Sequence, residues 1–220
     1  MFDWASNHEE LYKVCTLFNM TEIANPRRFS YKSLKGYIQE GPQCGLVALA
    51  IACENPNKEF VESIYEYAKE QKYTYNGEIF SSSYMEKLTI FFLKNKYDTH
   101  VYYGELNSIK TKEHLLTGGL ILVPYDTDKN NSPGLYNGHK AHWAVICGAI
   151  ETNNDFYVIA RHGKAKNIAI WALEDLSISN MQLNEFAPDR KNSNLEYRIP
   201  EGGLNGSCGL RNTSVFLNKI

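Results

Sequence analysis

The run Gly41-Pro-Gln-Cys44-Gly-Leu-Val-Ala-Leu-Ala-Ile-Ala-Cys53 is the strongest constraint on how this chain folds. From Gly45 to Cys53 it carries no charge and no polar face, so a helix formed there must be covered on every side. Gly41-Pro42 supplies the start signal, and Cys44 then falls in the first turn. A fold that satisfies this run needs enough further apolar chain to surround it. At 220 residues and 43% hydrophobic content the sequence provides one such core and is short for two. The expectation is a single domain over residues 1–220.

Two amphipathic helices are predicted at Lys58–Gln71, with Phe60, Ile64, Tyr67 and Ala68 at helical spacing, and at Ser81–Lys94, with Tyr84, Leu88, Phe91 and Phe92 behind serine caps. A shorter helix over Asn107–Thr117 closes at Gly118-Gly119. The period then changes. Leu120–Val123, Trp143–Ile150, Phe156–Ala160 and Ile168–Trp171 are short, rich in β-branched and aromatic residues, and separated by polar turns. Helices followed by antiparallel strands give an α+β fold, a helical N-terminal half packed on a sheet from the C-terminal half, rather than a doubly wound parallel sheet.

The 23 basic and 25 acidic residues nearly cancel, which argues against a nucleic-acid partner. The start MFDWASNHEE lacks the apolar stretch of an export signal, and no apolar run reaches membrane-spanning length, so no membrane partner and a cytoplasmic location are expected. Five widely spaced cysteines, an odd number, fit reduced thiols, and the absence of CxxC removes the usual thiolate zinc and redox motifs. No metal and no cofactor are called for.

A thiol at a helix N-terminus has a chemical use. Partial positive charge and unpaired N–H groups favour thiolate and hold a developing oxyanion. Gln39, five residues upstream, offers a side-chain amide for the same hole. Against this stands the reading of Cys44 as a small buried hydrophobe, which Cys15, Cys53 and Cys147 receive. The second constellation is Gly138-His-Lys-Ala-His142-Trp, where His142 opens a strand after a polar loop and is placed as a general base. His139-x-x-His142 is also half of a metal site, but no carboxylate or thiolate cluster accompanies it.

The turn signal Glu151-Thr-Asn-Asn-Asp155 predicts a hairpin in which opposed residue numbers sum to about 304 or 305. His142 then faces His162 or Gly163, and His162 either orients the imidazole or lines the substrate site, leaving a Cys44–His142 dyad. His139, Lys140, Arg161 and Lys164, with Lys129 and Lys166, form a predicted basic rim suited to an acidic substrate; ordinary solvated lysines are the alternative. The Asn, Gly and Pro content of 126–139 predicts a mobile flap beside the site.

The strings GPQCGLVALA, NGHKAHWAVICG, IARHGKAKNIAIW and SNMQLNEFAP, in order between Gln39 and Cys208, resemble the actin maturation protease family, with more distant similarity to bacteriocin-processing and papain-like cysteine peptidases. The resemblance implies a papain-like fold and removal of the acetylated first residue, Met or Cys, from the N-terminus of new actin. It implies Cys44 as nucleophile, His142 as the histidine, and Gln39 as the oxyanion residue, one position closer to the cysteine than in papain. His162 departs from the Asp or Asn of better-known relatives. A proline-rich leader described for vertebrate members is not seen at Met1-Phe-Asp-Trp4, so profilin docking through polyproline is not expected. Two other functions remain compatible with these residues: a general intracellular cysteine peptidase or amidase, and a non-catalytic peptide-binding module of the same shape.

Overall fold

The computed structural model describes residues 1–191 and 194–220. The run at Cys44 is helix α2 (Cys44–Ala52), and all nine of its residues are buried. It follows α1 (Glu9–Leu17) and β1 (Arg28–Tyr31), and precedes α3 (Lys58–Glu70) and α4 (Ser82–Leu93). The serine cap read from the sequence is made, with Ser81 Oγ accepting from Tyr84 N–H, and Asn57 Oδ1 caps α3 by accepting from Phe60 N–H. Next come β2 (Tyr97–Tyr103), α5 (Ile109–Leu116), β3 (Leu120–Thr127) and the two-residue β4 (Pro133–Gly134). The chain closes with β5 (Ala141–Glu151), β6 (Phe156–His162), β7 (Ala169–Ala172), α6 (Leu173–Met181), α7 (Pro188–Lys191) and β8 (Thr213–Lys219).

The architecture is α+β. The sheet runs in the order β2-β8-β3-β5-β6-β7, every pairing antiparallel; β4 extends β3, and β1 pairs with the far half of β5. The division into a helical first half and a stranded second half is therefore incomplete. β1 and β2 come from the first half, and both are polar edge segments without the apolar alternation that marks a strand.

β5 is the axis of the molecule, buried along nearly its whole length. Trp143, Val145 and Cys147 face the core around α2, while Ala144 and Ile146 face a second core with Leu115 of α5 and Leu173 and Leu176 of α6. A bulge between Ile146 and Gly148 inverts this alternation, so that Ala149 joins the second core and Ile150 the first.

The hairpin turn falls later than predicted, and the bulge moves the pairing back by one residue without restoring the expected register. Glu151 pairs with Phe156 because the Thr152 hydroxyl accepts from Asp155 N–H and Thr152 N–H donates to Asp155 O, closing a four-residue turn one place later than expected. After the bulge Ala144, not His142, pairs with His162. Among the described residues no helix is long and apolar enough to cross a membrane, and all five cysteines are free.

Leu49 lies in the middle of α2 with no exposure. Leu49→Ala should lower the unfolding free energy by about 2–5 kcal/mol, measured as a shift in urea midpoint at unchanged slope.

Candidate functional site

At the N-terminal tip of α2 the sheet opens into a cavity of about 370 Å³ lined by Cys44, His142, Gln39, Trp143 and Lys164 among others. Helix and strand meet at Trp143, the residue after His142, whose Nε1 donates to Ile79 O at 2.8 Å. Gly45 permits this approach, since a Cβ there would lie 3.1 Å from the Trp143 ring and 2.9 Å from Met85. No side chain caps α2, whose N-cap residue is Gln43, so N–H groups of its first turn remain for a bound oxygen.

Cys44 is 9% exposed and His142 3%. Burial pushes the Cys44 thiol up, against the Trp143 N–H and the charge of Lys164. Burial, then Lys164, then His162 hold His142 well below its ordinary value of 6.5. The helix tip therefore does not by itself produce a resting thiolate: desolvation outweighs it, and at neutral pH the pair rests as thiol and neutral imidazole.

Gln39 donates through Nε2 to Gly41 O at 2.6 Å, its Oε1 is buried without a hydrogen-bond partner, and its backbone N–H bonds Gly163 O. The amide has a second N–H, which stays available to the cavity. Gly163 makes room for it, because a Cβ there would stand 2.6 Å from Gln39 Oε1.

His162 does not hydrogen-bond His142. The two rings meet edge to face at 5.7 Å, and His162 stacks on Trp171 at 5.8 Å while its Nδ1 accepts from Lys164 N–H at 3.2 Å. Tyr125 closes the other side of His142, also edge to face at 5.7 Å. His142 Nε2 is buried with no hydrogen-bond partner, so the imidazole is held by packing. His162 lines a neighbouring cavity, with Val14, Phe18 and Trp171, rather than the one that holds Cys44.

Of the predicted basic rim, His139, Lys140 and Lys164 line the Cys44 cavity and Arg161 does not. The Arg161 side chain is 3% exposed, paired with Glu10 and donating to Lys166 O at 2.6 Å. It borders a different cavity that also includes Lys166. A charge on β6 cannot be assigned to a cavity without the register, and the later turn set one other than expected. His139 Nε2 lies 2.9 Å from Glu185 Oε1. Among the described residues no three His, Cys, Asp or Glu side chains are grouped to hold a metal ion.

The expected flap is tied down. The fully buried carboxylate of Asp126 accepts from Tyr136, Gly138 and Lys140 N–H at 3.0, 2.7 and 2.9 Å and from Gln182 Nε2 at 2.7 Å. Asp126 pairs with Ala141, so it anchors the segment that delivers His139, Lys140 and His142. Its only sequence signal is an acidic residue ending an apolar strand. Glu78, Phe80 and Arg190 also border the cavity, and their local sequence marks none of them.

A helix-borne thiol and a strand-borne imidazole sharing one cleft on an α+β scaffold define a cysteine peptidase, a hydrolase of peptide bonds. A family model described as actin maturation protease-like, C-terminal domain, matches residues 34–150. An actin maturation protease from Drosophila melanogaster is 39% identical over 218 residues, covering 99% of this chain and 81% of that protein. That from Danio rerio is 33% identical, covering 76% and 67%, and that from Homo sapiens 31%, covering 80% and 62%. The chain belongs to the actin maturation protease family. A solved C39-like peptidase from Bacillus anthracis aligns with TM-score 0.49 at 10% identity over 86% of this chain and 99% of that one.

Two outcomes follow from the site's packing. Asp126→Asn should raise amide hydrogen exchange at Tyr136, Gly138 and Lys140 by roughly tenfold or more, because a carboxamide offers one acceptor oxygen where the carboxylate offers two. His162, lowered to about 4 by burial and Lys164, is neutral in the fold while the unfolded chain takes up a proton below about 6.5. Its contribution to stability is therefore complete above pH 6.5 and lost as pH falls toward 4, by up to about 1.4 kcal/mol per pH unit. His162→Phe should flatten the melting-temperature profile between those pH values.

Proposed function

We propose that the chain removes the acetylated first residue, Met or Cys, from the acidic N-terminus of actin, with Cys44 as nucleophile and His142 as general base. The observation that carries this is the shared cavity: Cys44 at the tip of α2 and His142 at the start of β5 line it together, with Gln39 beside them. Family membership supports actin as the substrate. Lys140 and Lys164 along one wall support an acidic segment beyond the scissile bond.

His142 takes the Cys44 proton as the sulfur attacks the carbonyl carbon of the first residue. The resulting oxyanion is held by the Cys44 N–H and the Gln39 amide. Collapse breaks the C–N bond, and His142 returns the proton to the departing amine of the shortened chain. Water, deprotonated by His142, then attacks the thioester and releases the acetylated amino acid.

Incubation with an acetyl-Met peptide followed by acidic residues, with products weighed, tests the reading. Cys44→Ala should lower turnover at least about a thousandfold with the melt unchanged; persistence of cleavage would show the nucleophile to be another group. Comparable rates on acidic, neutral and basic peptides would favour a general peptidase, and binding without cleavage a peptide-holding module.

Lys164 depresses His142, so Lys164→Met should move the acid limb of kcat/KM to higher pH. In the wild type that limb should fall below 6.5, since a base with a lowered pKa stays neutral further into acid. The same variant should lose roughly three- to tenfold in kcat/KM on acidic peptides and little on neutral ones.

A further inference from the structure

The segment between α3 and α4 lies against the start of α2: Ile79 O accepts from Trp143 Nε1, and Ile79 packs beside Gly45. This places Glu78 in the cavity wall shared with Cys44 and His142. One oxygen, Oε1, stands 3.5 Å from Arg190 Nη1. The other, Oε2, is buried and has no hydrogen-bond partner. A buried carboxylate oxygen left without a donor is costly in a folded chain. Glu78 has no part in the acyl-transfer scheme above.

We propose that Glu78 is a specificity residue whose carboxylate, turning Oε2 toward the cavity, accepts the amide N–H of the residue being removed, at the acyl end of the cleft. This rests on reading the cavity as a peptidase's substrate cleft. Three features carry it. An acetylated first residue presents one N–H on the acyl side of its scissile bond, and that N–H needs an acceptor once water is displaced. A carboxylate beside the acidic residues after the scissile bond would repel them, so the proposal assigns Glu78 to the acyl side. Asp128, the other carboxylate among the described residues lining this cavity, already accepts from Asn130 and Ser132 N–H at 2.7 and 2.8 Å. Next to Glu78, Ile79 and Phe80 supply apolar surface for a Met or Cys side chain.

Burial also pushes the Glu78 carboxyl up, against its own backbone N–H and Arg190. A donated hydrogen bond relieves that desolvation.

The test pairs an acetyl-Met acidic peptide with its ester analogue, in which oxygen replaces the acetamide N–H and nothing else changes. Binding is measured on Cys44→Ala protein and kcat/KM on protein with Cys44 intact, each with and without Glu78→Ala. With Glu78 present the amide peptide should be preferred roughly ten- to hundredfold, and with Glu78→Ala the preference should fall to near unity. If Glu78→Ala does not fold by circular dichroism, Glu78→Gln replaces it; its carbonyl still accepts, so a reduced preference should survive.

Equal treatment of the two peptides by the parent protein, a preference that survives Glu78→Ala intact, or no binding of either peptide would overturn the assignment. Absence of cleavage by the wild type together with an intact, Glu78-dependent binding preference would instead overturn the reading of the chain as an enzyme and leave Glu78 as a recognition residue.

Discussion

The site depends on burying a helix with no polar face against the central strand of the sheet. α2 is covered by β5 and β6 of the sheet and by α3, and that enclosure sets how its tip meets the start of β5. The Trp143 indole locks the 78–80 segment through Ile79 O. One apolar contact surface thus brings the thiol, the imidazole, the Gln39 amide and Glu78 to one cavity. No hydrogen bond of comparable reach is needed, because close packing transmits position rigidly.

Enclosure has an electrostatic consequence. Taking thiol and imidazole out of water disfavours both charged forms, so burial opposes the thiolate that a helix N-terminus would favour. The ring of His142 sits between Tyr125 and His162 with its Nε2 unpartnered. Its orientation comes from two edge-to-face contacts, with Trp171 backing His162, where an acceptor side chain is the more familiar device. Asp126 supplies the complementary polar order by gathering three backbone N–H groups of the approach to β5.

Charge is distributed around the cavity by the fold and not by composition. A chain with formal net charge −2 gathers Lys140, Lys164 and the Glu78–Arg190 pair around one cavity, while Arg161 turns away to Glu10.

Local physics made much of this legible in the chain itself. The charge-free run at Cys44 demanded a fully covered helix, the serine cap at Ser81 marked where a helix begins, and the β-branched runs after Gly119 marked strands. Cys44 and His142 stood out because glycine and proline beside a thiol, and a histidine opening an apolar strand, are unusual enough to notice. What remained hidden involves contacts between distant segments. β1 and β2 become strands by joining a sheet edge and β8 by inserting between β2 and β3, and a hairpin turn later than the local signal moved His162 off His142. Asp126 and Glu78 matter only through N–H groups, a cavity and a neighbour that tertiary packing brings to them. Periodicity and capping are written over a few residues, whereas register and the facing of a side chain are set by the competition of whole surfaces for burial, which only the assembled fold resolves.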